Sequence, residues 1–393
     1  MKVDRKVEGR LSCRKKSFVQ SFAHENRRKL VIRLPPALAR LLLLACALFG
    51  AAQTTLAATT SDIEAAARRE GVVVIYAATD ISVARPLIED FGKLYPDVRV
   101  DYRDMSSTDL YRQFVSEART GGGADLVWSS AMDLQVKLVN DGYAQVYHSD
   151  ETAALPKWAV WKDEAFGTSL EPVAMVYNRE LMHADDVPRS HAELLRLLAR
   201  APAQLRGKLI TYDPARSGLG FLLHSQDVLA NPVVFWRLAE AFGRLGVQTE
   251  PSTADMLDRI AAGQATLGYN LLGSYAQLRA EQDPRLGVVL PNDYTLVMSR
   301  VAFIARQAKH PNAARLWLDY LLSMRGQRLL SRSPGFYSVR TDVPNDEAAD
   351  NLDRELGSAF RPIRIGAGLL TYLDQLKGRD FLVQWRDTIA PQP

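Results

Sequence analysis

Cysteine is scarce: the 393 residues hold two, Cys13 and Cys46, both in the first 57. A chain processed after residue 57 therefore has no disulfide, no thiolate metal site and no cysteine nucleophile. Enzyme signatures are missing as well. Past residue 57 there is no HExxH, no GxSxG elbow, no GxxxxGK[ST] loop and no GxGxxG after a strand. The five histidines there, His148, His183, His191, His224 and His310, lack metal-ligand spacing. The expectation is a protein that is not an enzyme and carries no cofactor and no resident metal. Internal repeats, charge blocks and low-complexity linkers are also absent, so nothing suggests an array or a disordered tail.

No apolar run is long enough to span a bilayer. Residues 41–52 form a twelve-residue apolar stretch behind Arg33 and Arg40, and the small-residue site Thr55-Leu56-Ala57 follows. A spanning helix needs about 20 apolar residues, so 1–57 reads as a secretory signal peptide cleaved after Ala57 or Ala58, with Val31 an alternative start. Leu43-Leu44-Ala45-Cys46 resembles a lipoprotein box, but Arg40 cuts into the apolar run that would precede it. Anchoring through Cys46 is therefore the lesser alternative to a free periplasmic protein. Removing 1–57 takes away twelve basic and three acidic residues, leaving 37 basic against 42 acidic and turning a formal charge of +4 into −5. A mildly acidic chain offers no electrostatic footprint for nucleic acid or anionic membrane.

Strand and helix then alternate. VVVIYA (72–77) is a continuous β-branched run of the kind buried on both faces, and SVARPLIEDFGKLY, VRVDYRD, SSTDLYRQFVSEART, ADLVW and AMDLQVKLVNDG extend the alternation. This predicts a mostly parallel, doubly wound sheet. FGTSLEPVAMVYN (166–178) reads as extended chain, and HAELLRLLAR as a helix. KLITY leads through Ala215 to Gly220 into FLLHSQDVLA, and ATLGYN into GSYAQLRAEQ ahead of LGVVLP. A second α/β lobe is the economical interpretation, since more than 300 residues exceeds one core.

Three strand ends deliver small polar residues to a helix start: Thr79-Asp80, Ser129-Ser130, and Ser217-Gly218-Leu219-Gly220. Free N–H groups, a hydroxyl and the helix dipole together make an anion site. Each of these residues is equally a common helix cap, and it is their agreement across two lobes that carries the functional reading. Asn270 closes a strand just before Tyr275, which is either an anion or metal ligand or a rim aromatic. His224 lies two turns into a helix, and Glu171 sits on the extended segment, where it either meets a ligand hydroxyl or faces water.

The segments EGVVVIYAATDISVARPLIEDFGKLYPDVRVDY, GGGADLVWSSAMDLQVKLVNDGYA, ITYDPARSGLGFLL and HPNAARLWLDYLLSMRGQRLL resemble the periplasmic solute-binding proteins of ABC importers. The closest resemblance is to the extracellular solute-binding family 1 branch that includes ferric-ion, sugar-phosphate and phosphoglycerate binders. That resemblance implies a type II periplasmic binding protein: two doubly wound α/β lobes joined by two crossing strands, near 167–177 and 288–297. Lobe one would be 62–168 plus 295–393, and lobe two 169–294. The implied partners are a small solute and an inner-membrane ABC permease, with a sensor kinase as an alternative and a monomer expected. Ferric binders of the family use a tyrosine pair, often with a histidine near the end of the first strand. Tyr275 is followed here by Ala276, and Thr79-Asp80 stands where that histidine would lie. Hydroxyls and helix starts suit phosphate or carboxylate better than ferric ion. The expected ligand is therefore an anionic organic solute, with iron the runner-up. Ser129, Ser130, Ser217, Gly218, Leu219 and Gly220 would border the anionic head with Arg216 as counter-charge. Thr79, Asp80, Glu171, His224 and Asn270 would read the remainder, and Tyr275 would close over it.

Overall fold

The structure, a computed structural model, describes residues 60–200, 202–343 and 349–390. The expected signal peptide 1–57 and the alternative anchor at Cys46 lie outside the described residues. No helix among the described residues is long and apolar enough to cross a membrane.

In chain order, α1 (Thr60–Glu70) leads to β1 (Val72–Ala77), α2 (Ile81–Leu94), β2 (Arg99–Asp104), α3 (Ser107–Ala118), β3 (Leu126–Ser129) and α4 (Met132–Asn140). After β4 (Val160–Trp161) and β5 (Ala165–Gly167) the chain crosses through 168–170 into β6 (Glu171–Asn178). There follow α5 (His191–Arg200), α6 (Pro202–Leu205), β7 (Leu209–Tyr212), α7 (Gly218–Ala230), α8 (Pro232–Leu245), β8 (Gln248–Glu250) and α9 (Thr253–Ala261). Next come β9 (Leu267–Leu272), α10 (Gly273–Gln282), β10 (Leu286–Val289) and β11 (Thr295–Met298). The chain returns through Ser299-Arg300 to β12 (Val301–Ile304), α11 (Pro311–Leu322) and α12 (Met324–Leu330), and ends with α13 (Ala349–Leu356), β13 (Phe360–Pro362) and α14 (Gln375–Ile389).

Two sheets result. The first runs β2-β1-β3-β12-β5-β4, and the second β13-β11-β6-β9-β7-β8 with β10 also paired to β6. The strands β1, β2 and β3 are parallel, as are β7, β8 and β9. Their parallel pairing follows from the helix that separates each from the next, which carries the chain back across the sheet. The apolar run of β1 buries Val73, Ile75, Tyr76 and Ala77. In the first lobe Phe91 of α2 meets Trp317 and Tyr320 of α11 edge-on at 5.0 and 5.4 Å.

Two expectations are corrected. The second crossing lies at Ser299-Arg300, later than 288–297, because β10 and β11 both pair with β6. Nor does 295–393 belong as a whole with the first sheet. β11 and β13 pair with each other in the second sheet, and α14 packs on α8. The reason is apolar: Phe381 and Trp385 of α14 are buried with Val228, Phe235 and Ala239. The segment 232–261, unassigned in sequence, supplies α8, β8 and α9, with Asn231 capping α8 ahead of Pro232.

Truncating Trp385, whose ring lies 4.5 Å from His224 and 5.7 Å from Phe235, tests this docking. Trp385→Ala is expected to lower unfolding stability by about 3–5 kcal/mol in a urea titration, and a change under 1 kcal/mol would show that α14 contributes little to its lobe.

Candidate functional site

The carboxyl ends of β1, β2 and β3 and those of β7, β8 and β9 border one cleft of about 770 Å³. Its walls include Asp80, Asp104 and Ser130 from the first lobe and Arg216, Ser217, Ser252 and Tyr275 from the second. Every one of those strands runs into a helix, so the starts of α2, α3, α4, α7, α9 and α10 cluster there. Their dipoles point their positive ends at the cleft, beside the carboxylates of Asp80, Asp104 and Asp109 on the first wall; Asp104 already accepts from Ile81 N at the start of α2 (3.0 Å).

The hydroxyls on these walls are not equivalent. Ser106 caps α3 by accepting from Asp109 N (3.1 Å) and donates to the Asp109 carboxylate (2.7 Å). Ser252 does the same at α9 with Asp255 (3.1 and 2.7 Å). Ser217 accepts from Gly220 N (3.0 Å), and its own hydroxyl hydrogen has no acceptor among the described residues. Ser130, though only 5% exposed, has no side-chain partner for its hydroxyl among the described residues. Arg112 is 3.8 Å from Asp109, whereas Arg216 has no carboxylate partner among the described residues. Unpaired donors therefore stand on both walls, from Ser130 on one side and from Arg216 and Ser217 on the other.

The floor is a buried ion pair. Arg300, 1% exposed, grips Glu171, 0% exposed, with Nε–Oε1 at 2.9 Å and Nη2–Oε2 at 3.1 Å. Glu171 also accepts from Ser169 Oγ (2.8 Å) and Ser274 Oγ (2.5 Å). Arg300 Nη1 donates to Ala78 O (2.9 Å) and Thr79 Oγ1 (2.7 Å) at the end of β1. The Tyr275 ring stands 5.5 Å from the guanidinium carbon, and its hydroxyl accepts from Asp80 N (3.3 Å), joining the two lobes. Burial, with the Asp80 and Glu171 charges adding and Arg300 opposing, holds the Tyr275 phenol above its ordinary pKa, so it is protonated at neutral pH.

Of the residues expected from sequence, Asp80, Ser130, Arg216, Ser217, Leu219 and Tyr275 line the cleft. The others lie behind it. Thr79 and Glu171 hold Arg300, and Ser129 Oγ accepts from Ala131 N at 3.2 Å. Gly220 gives its N–H to Ser217 and packs on Tyr212, and Gly218 faces the opposite lobe. His224 is 0% exposed between Thr211 (3.5 Å) and Asn270 (3.3 Å), and burial pushes it down to about 3, so it is neutral. Asn270 occupies a bulge at φ 60°, where Tyr269 and Asn270 oppose the single Met175, and its amide donates to Asp227 (3.0 Å). Glu171 thus neither meets solvent nor lines the cleft, and His224 and Asn270 belong to a buried network with Asp227, Tyr269 and Tyr294 (2.6 Å). Sequence reasoning missed Arg300, Asp104, Arg112 and the starts of α3 and α9. The capping patterns Ser106-Ser107-Thr108-Asp109 and Ser252-Thr253-Ala254-Asp255 were the available signal.

A profile of the bacterial extracellular solute-binding proteins matches residues 86–353, and the chain belongs to that family. A substrate-binding protein of an ABC transporter from Agrobacterium tumefaciens is 36% identical with a TM-score of 0.77, covering 81% of this chain and 94% of that one. Iron-bound HitA from Pseudomonas aeruginosa (15% identity) and AfuA from Actinobacillus pleuropneumoniae with fructose-6-phosphate (18%) each give a TM-score of 0.65 over 81% of this chain and 99% of theirs. No protein of curated function matches by sequence. The fold is that of the type II periplasmic binding proteins. The chain is the substrate-binding component of an ABC transporter, working with a membrane permease, and not an enzyme.

Two variants probe this architecture. Glu171→Leu leaves the Arg300 charge buried without its partner and is expected to cost about 3–5 kcal/mol in chemical denaturation; a loss below 1 kcal/mol would mean that Arg300 finds water. Asp133, at the start of α4 and 2% exposed, accepts from Leu134 N (2.9 Å), and burial raises its carboxyl to about 7. The folded state therefore binds more protons than the unfolded one between about pH 4 and 7, and stability falls as pH rises through that window. Asp133→Asn is expected to raise the melting temperature at pH 8, by on the order of a few kcal/mol of stability, and to match wild type near pH 4. An equal effect at both pH values would refute the buried-acid account.

Proposed function

We propose that this cleft captures a small anionic organic solute, a phosphorylated sugar or an organic acid, and that the chain delivers it to the permease. The observation that carries this reading is the set of donors without acceptors among the described residues, Ser130, Arg216 and Ser217, beside helix starts on both walls. An anionic group there gains charge-assisted hydrogen bonds and a favourable dipole field. Arg300 does not serve as the counter-charge, because Glu171 already neutralises it. Asp80, whose carboxylate makes no cap bond, and the Tyr275 hydroxyl are placed to read hydroxyl groups on the rest of the solute. The signal peptide expected at 1–57 puts this capture in the periplasm.

Iron is the second reading, since HitA is iron-bound on the same fold. The residues favour it less. Among the described residues no group of three or more His, Cys, Asp or Glu is arranged to hold a metal ion. Of the two tyrosines at the cleft, Tyr212 is bonded to Thr253 and Tyr275 to Asp80.

Native mass spectrometry of freshly purified protein, followed by thermal shift with phosphate esters, carboxylates and ferric citrate, separates the two readings. A ligand at 100 times its dissociation constant adds about 2.7 kcal/mol of stability. Arg216→Ala and Ser130→Ala are each expected to weaken binding of the stabilising anion about tenfold or more by calorimetry, from about 1.5–3 kcal/mol per charged hydrogen bond. Stabilisation by ferric citrate alone, or unchanged affinity in both variants, would overturn the anion reading.

A further inference from the structure

Gly218, the first residue of α7, is pressed against the opposite lobe. A Cβ placed on it would lie 2.9 Å from Ser107 Oγ and 3.4 Å from Thr108 Oγ1 at the start of α3, and 3.1 Å from Leu134 Cδ1 on α4. All three atoms belong to the first lobe. Local backbone does not explain the glycine, because Gly218 is not among the residues with positive φ. Helix propensity would favour alanine there. Gly220, two residues on, is crowded instead by Tyr212 of its own lobe. The requirement at 218 therefore comes from across the cleft.

We propose that Gly218 is a positioning residue that sets how far the cleft closes: its bare Cα is the seat on which the start of α7 meets the starts of α3 and α4. This rests on the cleft being the solute site but not on which solute fills it. Closure brings Arg216 and Ser217, the two residues before the seat, towards Ser130 on the other wall. A side chain at 218 holds the walls apart and separates those donors. Alanine asks Ser107 and Leu134 to give by a few tenths of an ångström, whereas leucine has no room.

The test uses the full chain carrying Cys13→Ser and Cys46→Ser, with Ser107→Cys and Gly218→Cys added. In a disulfide of about 2.05 Å, each Cβ lies ~3.0 Å from the far sulfur, which matches the 2.9 Å separation. Mild oxidation is expected to close an intramolecular disulfide and to shrink the radius of gyration relative to the reduced protein. Absence of the cross-link while both thiols still react with a maleimide would overturn the seat. This arm needs no solute, so cross-linking in a protein that ignores every phosphate ester and carboxylate would sink the anion reading and leave the seat standing. In the second arm, Gly218→Ala and Gly218→Leu are titrated with glucose 6-phosphate, 3-phosphoglycerate and ferric citrate. Whichever probe binds wild type is expected to bind the leucine variant at least tenfold more weakly and the alanine variant in between, with solute-free melting unchanged. Equal affinity in wild type and Gly218→Leu would also overturn the proposal.

Discussion

Arg300 and Glu171 leave water together at the point where both crossing segments meet, and much of the rest of the molecule is arranged around that choice. Removing two charges from solvent costs several kcal/mol per ion, and the cost is recovered only when geometry is good and the remaining polar atoms are bonded. Here they are. The guanidinium forks onto both carboxylate oxygens while Ser169 and Ser274 donate to the carboxylate, and Ala78 and Thr79 accept from the other arm of the arginine. Those partners come from the end of β1, from the crossing and from the start of α10. A single pair thus ties both sheets to the crossing segments and leaves the floor of the cleft close to neutral.

That neutrality assigns recognition to the walls. If Arg300 were unpaired, any anion would be drawn to the floor with little regard to shape. Because it is paired, charge selection on the proposed reading would fall to Arg216 and to helix starts that come from separate lobes, and a solute would have to touch both walls to use them all. A ligand contacting one wall equally in open and closed forms shifts no equilibrium. On the proposed reading, one that bridged Ser130 and Ser217 would favour a closed form over an open one and so drive closure. The bond between Asp80 N and the Tyr275 hydroxyl adds a lobe-to-lobe contact on the same edge.

How much of this was legible in the sequence follows from the range of the interactions involved. The strands at 72–77 and 209–212 and the cap at Ser217 are local: continuous β-branched runs and a hydroxyl three residues ahead of the N–H it accepts announce themselves. The placement of 295–298 and 360–390 is not local. β11 pairs with β6 across more than a hundred residues of chain, and α14 is held by Phe235 and Val228, contacts that no window of sequence displays. Arg300 escaped notice for the same reason, since its meaning lies in Glu171, 129 positions away. His224 and Asn270 misled in the opposite direction. Both follow the segments that build the cleft, yet the bulge aims Asn270 at Asp227 and the helix turn sets His224 between Thr211 and Asn270.

The same contrast separates residues that hold the site from residues that use it. Thr79, Ser129, Glu171 and Gly220 spend their polar groups on the protein itself, which is why a buried hydroxyl or carboxylate at a strand end is weak evidence for a ligand. Ser130 and Arg216 have no such partner. The Ser130 hydroxyl opens onto the cleft and is free to bond what enters there. An exposed guanidinium costs little by itself, but it keeps a charge that the fold has not consumed. On the proposed reading, Ser130 on one wall and Arg216 and Ser217 on the other are the donors that an anionic group would bridge, and that arrangement, more than the likeness of the fold to proteins that bind iron and proteins that bind sugar phosphates, favours an anion over a metal.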